Sequence, residues 1–355
     1  MIGERIKRAR EAAGLNQRQL ADLAGVTAMA ISKYEREDST PSSGVLLAIA
    51  KALSVRTEYF FRRTEVALTD LDYREHEKLP LKEEKKVIAD VLEQVERWVN
   101  LEEFLPTPWS TEFKVPEGLP NNITELDQIE DVATQLRQAW NLGLNPVTDL
   151  IDMLESKGIK VFITRYDQHK YFDGLTAKVN DAPVIVVGAT WSGDRQRFTL
   201  AHELGHLILK GRLAGELDEE MACHRFAGAF LAPRDSVLET LGPSRSRLEP
   251  QELYLLKHEW GLSMQAWSYR AFNLGIIKKS AHQSLWRQYL SKWKKAGLEP
   301  GRAYPKEQPR LFAQLVYRAL GEDIITESKA AELLGMSVME LHACRKMECP
   351  NEVAH

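Results

Sequence analysis

Two histidines four residues apart, in His202-Glu203-Leu204-Gly205-His206, constrain this chain more than any other feature. Residues i and i+4 stack on one face of an α-helix, so both imidazoles can hold one metal ion only where this stretch is helical. Phe198, Leu200, Leu204 and Leu207 supply the apolar side by which such a helix is buried. Gly205 has no side chain and permits close approach of a neighbouring element. Glu203, next to the first histidine, can take a proton from water activated at the metal. The bland alternative is a surface histidine pair at helical spacing. The setting weighs against it, because the helix follows a predicted strand.

A catalytic ion usually takes three protein ligands and keeps one position open, so a third ligand must come from elsewhere. The next predicted helix, 216–232, offers Glu216, Asp218, Glu219, Glu220 and His224. Glu220 and His224 are i,i+4 and share a face. His224 suits a role behind the ligands or as a donor to a developing oxyanion, against the plainer reading of a core histidine. For the other acids the plain reading is a solvated helix start favoured by the dipole. Cys223 is of a metal-ligand type but reads better as a small buried residue.

Around this motif the period of the apolar residues changes. Residues 1–65 read as short helices: 2–13, 17–24, 27–35 and 46–53, with Gly14 and Gly25 as stops and Asn16 and Thr27 as N-caps. A mixed polar linker, 63–80, leads into a strong helix over 81–105, so 66–124 is a linker with one long helix. Ile88, Leu92, Val95 and Val99 line that helix at 4-3-4 spacing, either packing on the next domain or forming a dimer contact. Prolines 106, 108, 116 and 120 mark a boundary. Residues 125–280 then give a helix in two pieces across 129–157. About three β-branched strands follow at 158–164, 174–179 and 182–188, then the motif helix. Residues 281–355 read as helices around a Gly/Pro-rich stretch at 297–309. The fold class is mainly α with a small β-sheet (α+β).

Within 17–35, Ala21 fits a tight helix crossing and Gly25 a turn, with Leu20, Val26 and Ile31 as packing residues. That is the requirement of a helix-turn-helix. ITESKAAELLGMSVMEL, 325–341, has a similar feel, although a plain helical subdomain is the favoured reading. His342, Cys344 and Cys349 lack the CxxC spacing of a metal site. The net charge is -4, so any nucleic-acid contact must rest on a local basic patch. Three cysteines make no disulfide framework, and the charged start lacks the apolar core of a secretory signal. No apolar run approaches a membrane span. A cytoplasmic protein is expected.

LNQRQLADLAGVTAMAISKYERED resembles the XRE-type (Cro/phage-repressor) helix-turn-helix family over about residues 3–62. The resemblance implies operator DNA as partner and a homodimer on inverted repeats. It places Thr27, Ala28, Met29, Ser32 and Lys33 at bases or flanking phosphates, and Gln17 and Arg18 at the phosphate backbone. Lys7 and Arg10 add positive charge. Likewise RQRFTLAHELGHLILKG and the FAGAFLAP stretch after Glu220 resemble the ImmA/IrrE metallopeptidases over about 125–280. That resemblance implies a zincin-like core and Zn2+, or another divalent ion, on His202, His206 and Glu220. It makes Glu203 the catalytic base and leaves His224 as a second catalytic candidate, since the family more often shows Ala-Asn where this chain has Cys223-His224. The implied substrate is a protein such as a repressor or antitoxin. The rival expectation is a transcription factor or antitoxin whose zincin fold is a structural or sensing module without turnover.

Overall fold

The computed structural model describes residues 2–53, 55–61, 66, 68–72, 81–105, 112–164, 172–297 and 299–348. Cys349, prolines 106 and 108 and most of the 63–80 linker lie outside them. Among the described residues no helix is long and apolar enough to cross a membrane. The fold is mainly helical with one small sheet, as the sequence implies.

The N-terminal helices are α1 (Ile2–Ala12), α2 (Gln17–Ala24), α3 (Ala28–Glu35) and α4 (Ser43–Ala52), followed by a 3₁₀ turn at Thr57–Phe61. Local chemistry sets their ends. Asn16 and Gln19 form a reciprocal capping box at α2. Gly25, with φ 67° and ψ 33°, takes the left-handed conformation that ends α2, and the Thr27 hydroxyl then accepts from the Ala30 amide at 3.1 Å. Ile6, Leu20, Ala21, Ile31, Ile49 and Phe60 close a core of their own.

The long helix α5 (Leu81–Glu102) is followed by α6 (Gln128–Ala139), α7 (Leu150–Ser156) and a mixed sheet. Its strands are β1 (Thr69–Asp72), β2 (Lys160–Ile163), β3 (Gly174–Val179) and β4 (Ala182–Val187), in the order β1-β3-β4-β2. β1 comes from the segment that reads as linker, so the sheet has one strand more than the sequence suggests. β3 and β4 form a hairpin whose two turn residues, Asn180 and Asp181, both have positive φ.

The helices that follow are α8 (Gly193–Leu209), α9 (Glu219–Leu231), α10 (Arg234–Leu241), α11 (Pro250–Trp260), α12 (Met264–Asn273) and α13 (Lys279–Leu285). A π-helical turn at Trp286–Leu290 leads to α14 (Ser291–Ala296), and α15 (Leu311–Gly321), α16 (Glu327–Leu334) and α17 (Val338–Arg345) complete the order.

Alternation along the strands makes the sheet a wall between two cores. Val161, Ile163, Ile185 and Val187 pack with α8 and α9. Phe162, Leu175, Ala177, Val184 and Val186 pack with α5, α15 and α16. The α5 stripe therefore packs inside the chain, with its buried face turned towards Val87, Val91, Val95 and Trp98; Ile88 and Leu92 are half-buried.

The Gly/Pro-rich stretch after α14 is a strap with two carboxylates turned inward. Glu299 accepts from the Met264 and Gln265 amides at the start of α12, at 3.0 and 2.9 Å. Glu307 accepts from the Leu150 and Ile151 amides at the start of α7, at 2.8 and 3.0 Å, and pairs with buried Arg197 of α8. Each carboxylate satisfies amides that a helix start leaves without partners.

A second buried pair ties α6 to α12. Arg270 donates to Glu130 at 2.6 and 3.0 Å and to the Ala232 carbonyl at 2.8 Å. Removing one partner of such a pair leaves a charge buried without compensation. Glu130→Ala is expected to cost about 3–5 kcal/mol in urea unfolding; a loss below 1 kcal/mol would mean that water reaches the pair.

Candidate metal centre

α8 enters the core through Leu200, Ala201, Leu204 and Ile208, all essentially fully buried, while Phe198 and Leu207 pack at its margins. α9 crosses α8 at Gly205. A Cβ there would lie 3.2 Å from the Phe226 ring and 3.3 Å from the Cys223 Cα, so the glycine sets how closely the helices approach. Cys223 is fully buried at this contact, as expected of a small packing residue. Asp218 accepts from the Met221 amide at 2.7 Å and starts α9 as its N-cap.

This packing brings three ligand-type side chains together. His202 Nε2 lies 3.1 Å from His206 Nε2 and 3.3 Å from Glu220 Oε2, and His206 Nε2 lies 3.5 Å from Glu220 Oε1. A tetrahedral ion with bonds of about 2.0–2.1 Å holds its donors about 3.3 Å apart. The three separations bracket that spacing, so the residues fit a divalent cation. The Glu220 carboxyl is held below the ordinary carboxylate range by the hydrogen bond with His202 and by the neighbouring imidazoles, against a smaller opposing effect of burial.

Glu219 turns to the other side of His206, with its Oε1 3.1 Å from Nδ1. A carboxylate there holds the proton on Nδ1 and leaves Nε2 as the lone-pair donor facing His202. Read from sequence, Glu219 is one of several acids at a helix start; its neighbour Glu220 was the only available signal.

His224 is exposed, which removes the core-histidine reading. Its ring centroid lies 4.6 Å from that of His202, and His202, Glu220 and His224 bring ligand atoms within 4.8 Å of one another. It stands at the open, α9 side of the centre. Glu203 is 4% exposed and faces the start of β3. A Cβ on Gly174 would come to 2.6 Å from the Thr199 methyl and 3.3 Å from Glu203 Oε1, so the first residue of β3 must be small for Glu203 to keep its place. The sequence marks Gly174 as the start of a strand but gives no sign of this contact with Glu203.

The residues expected to meet DNA lie apart from this centre. Arg18, Thr27, Ala28, Met29 and Lys33 are exposed on the outer side of α2 and α3, Met29 at 69%. Ser32 is half-buried. Gln17 donates to Glu35 at 2.7 Å, and Glu35 also takes Arg10, so both Gln17 and Arg10 are held within the unit.

Residues 6–60 match the family model described as helix-turn-helix, and 154–272 match that of the IrrE N-terminal-like domain. The chain joins an XRE-type helix-turn-helix domain to a domain of the ImmA/IrrE metallopeptidase family. Among curated proteins, an uncharacterised prophage-derived HTH-type regulator, YonR of Bacillus subtilis, is 35% identical over 20% of this chain and 66% of its own length. The HTH-type transcriptional regulator ImmR of the same organism is 32% identical over 19% of this chain and 52% of its own. Repressor protein C2 of Salmonella phage P22 is 36% identical over 18% of this chain and 29% of its own. The chain thus spans only part of each of these relatives. Bacillus thuringiensis PlcR, solved with the peptide PapR7 and DNA, covers 99% of both chains at 13% identity, with a TM-score of 0.17 that carries no weight.

Glu219→Gln is expected to weaken zinc binding about ten- to hundredfold, read by competition with a chromogenic chelator. Unchanged affinity would reduce the His206 contact to an incidental one.

Proposed function

We propose that this protein is a cytoplasmic, DNA-binding transcriptional regulator whose second domain is a zinc-dependent endopeptidase. The observation that carries the peptidase reading is the triangle of His202, His206 and Glu220, with Glu203 on the same helix. A divalent ion held by these three residues would polarise a water and a peptide carbonyl, which is the chemistry amide hydrolysis needs. Glu203 is the group to take the proton of the attacking water and return it to the departing amine. Its burial excludes bulk water from that exchange. His224, at the open side, suits the stabilisation of negative charge on the scissile carbonyl oxygen.

The substrate is a protein, and a repressor or antitoxin encoded nearby is the first candidate. The helix-turn-helix would place the peptidase beside such a substrate on DNA or regulate its own operon, as a homodimer on an inverted repeat. One feature favours turnover over a purely structural site. A structural site has no use for a buried carboxylate beside its first ligand. α15 and α16 pack on the face of the sheet opposite α8.

The test pairs zinc-loaded wild type with Glu203→Gln against repressor-type proteins encoded nearby. Wild type is expected to cut one of them, and the variant to do so at least about a hundredfold more slowly while retaining its zinc. Absence of cleavage by wild type, together with unchanged repression by the variant, would favour the sensing or structural role.

A further inference from the structure

Residues 311–348 repeat the architecture of the N-terminal helix-turn-helix. α1, α2 and α3 have 11, 8 and 8 residues, and α15, α16 and α17 have 11, 8 and 8. The correspondence holds position by position. Ile6, Ala9, Leu20, Ala21 and Ile31 are buried, and so are their counterparts Val316, Ala319, Ala330, Ala331 and Leu341. Gly25 has φ 67° and ψ 33°; Gly335 has φ 71° and ψ 20°, and each donates its amide to the alanine four residues before it. Thr27 caps α3, and Ser337 caps α17 in a capping box with Glu340. The back of α2 is covered by α4, and the back of α16 by α5, where Arg97 donates to the Leu333 carbonyl at 3.3 Å.

What each unit leaves uncovered also corresponds. In the N-terminal unit the open tip is Thr27-Ala28-Met29, and in the C-terminal unit it is Ser337-Val338-Met339: a hydroxyl followed by two apolar residues. Met339 is 79% exposed and Val338 37%, an arrangement that water disfavours. Such a pair at the start of a second helix suits thymine methyls in a major groove. Two acids near the tip are engaged, and Glu340 is also within the influence of Arg56 from the N-terminal region. Glu340 accepts from the Ser337 amide at 2.6 Å, and Glu327 pairs with His342 at 2.9 Å and with Arg345. Lys346 stands, exposed, where the first unit has Arg36.

We propose that α15–α17 are a second DNA-reading unit, so that one chain contacts two segments of a duplex. This rests on the reading of the first unit as DNA-binding. The second is the weaker unit. Ser328 and Ala343 stand where the first has Arg18 and Lys33, so it makes fewer phosphate contacts, adds little to the salt dependence, and engages DNA only alongside the first.

The experiment is hydroxyl-radical footprinting and anisotropy titration of the full chain on a duplex from its own promoter region. Two variants are compared, Met339→Asp with Lys346→Glu, and Met339→Leu. Both positions are exposed, and helical content and zinc stoichiometry monitor the fold. Wild type is expected to protect two segments. The double variant is expected to lose one of them and about tenfold in affinity, and Met339→Leu to keep both. Retention of both segments by the double variant would overturn the proposal, as would loss of self-association with an unchanged footprint, which would assign the surface to a second copy. A change of Thr27, Met29 and Lys33 together tests the parent reading separately: full binding by that variant, or no binding by wild type, defeats both.

Discussion

The contact of α8 with α9 at Gly205 is the constraint on which the rest of the centre depends. The two histidines already share a face of α8, but a carboxylate from α9 reaches them only because the helices approach closely at a residue without a side chain. The same contact buries Cys223 and places Phe226 against α8, so packing energy and ligand geometry have one origin. A larger residue at 205 would separate the helices and draw Glu220 and Glu219 away from the imidazoles together. Fold stability and donor spacing are coupled here, and neither can drift without the other.

The start of α8 is held with equal care. Lys257 lies 3.3 Å from Asp194 and 2.9 Å from Glu299, and both Lys257 and Asp194 are almost completely buried. Arg197 meets Glu307 of the same strap. Desolvating charges is expensive, and a buried pair adds little net stability over an apolar equivalent. What such pairs supply is a fixed position: α8 is tied at its first turn to α7, α11, α12 and the strap. A helix bearing a metal site and a base gains from that rigidity. The N-terminal domain is joined differently, through Arg5 and Arg8 of α1 on Glu96 of α5. On the same helix, Arg97 donates to the Leu333 carbonyl of α16, so α5 contacts both the N-terminal unit and the C-terminal helices.

Local chemistry was readable from the sequence. Asn16, Gly25 and Thr27 announced the ends of α2 and α3, and the histidine spacing announced α8, because caps, turns and i,i+4 pairs are decided within a few residues. Features decided by distant partners were not readable. β1 is four residues of a polar stretch and becomes a strand only through pairing with β3. α10 follows directly on Pro233, which signals a stop for one helix and equally serves as the start of the next. The strap reads as a linker until its two glutamates meet amides far along the chain. Glu219 looks like any acid in a first turn, and Gly174 like any residue at a strand end. The tertiary setting alone distinguishes them.

The central claim is that His202, His206 and Glu220 form one metal centre on this chain. The most direct measurement is the zinc content of the purified full-length protein by mass spectrometry, alongside His202→Ala and His206→Ala variants of matched helical content. One zinc per chain in wild type and almost none in either variant is expected. Equal zinc in wild type and variants, or none in wild type after dialysis against the free metal, would contradict it.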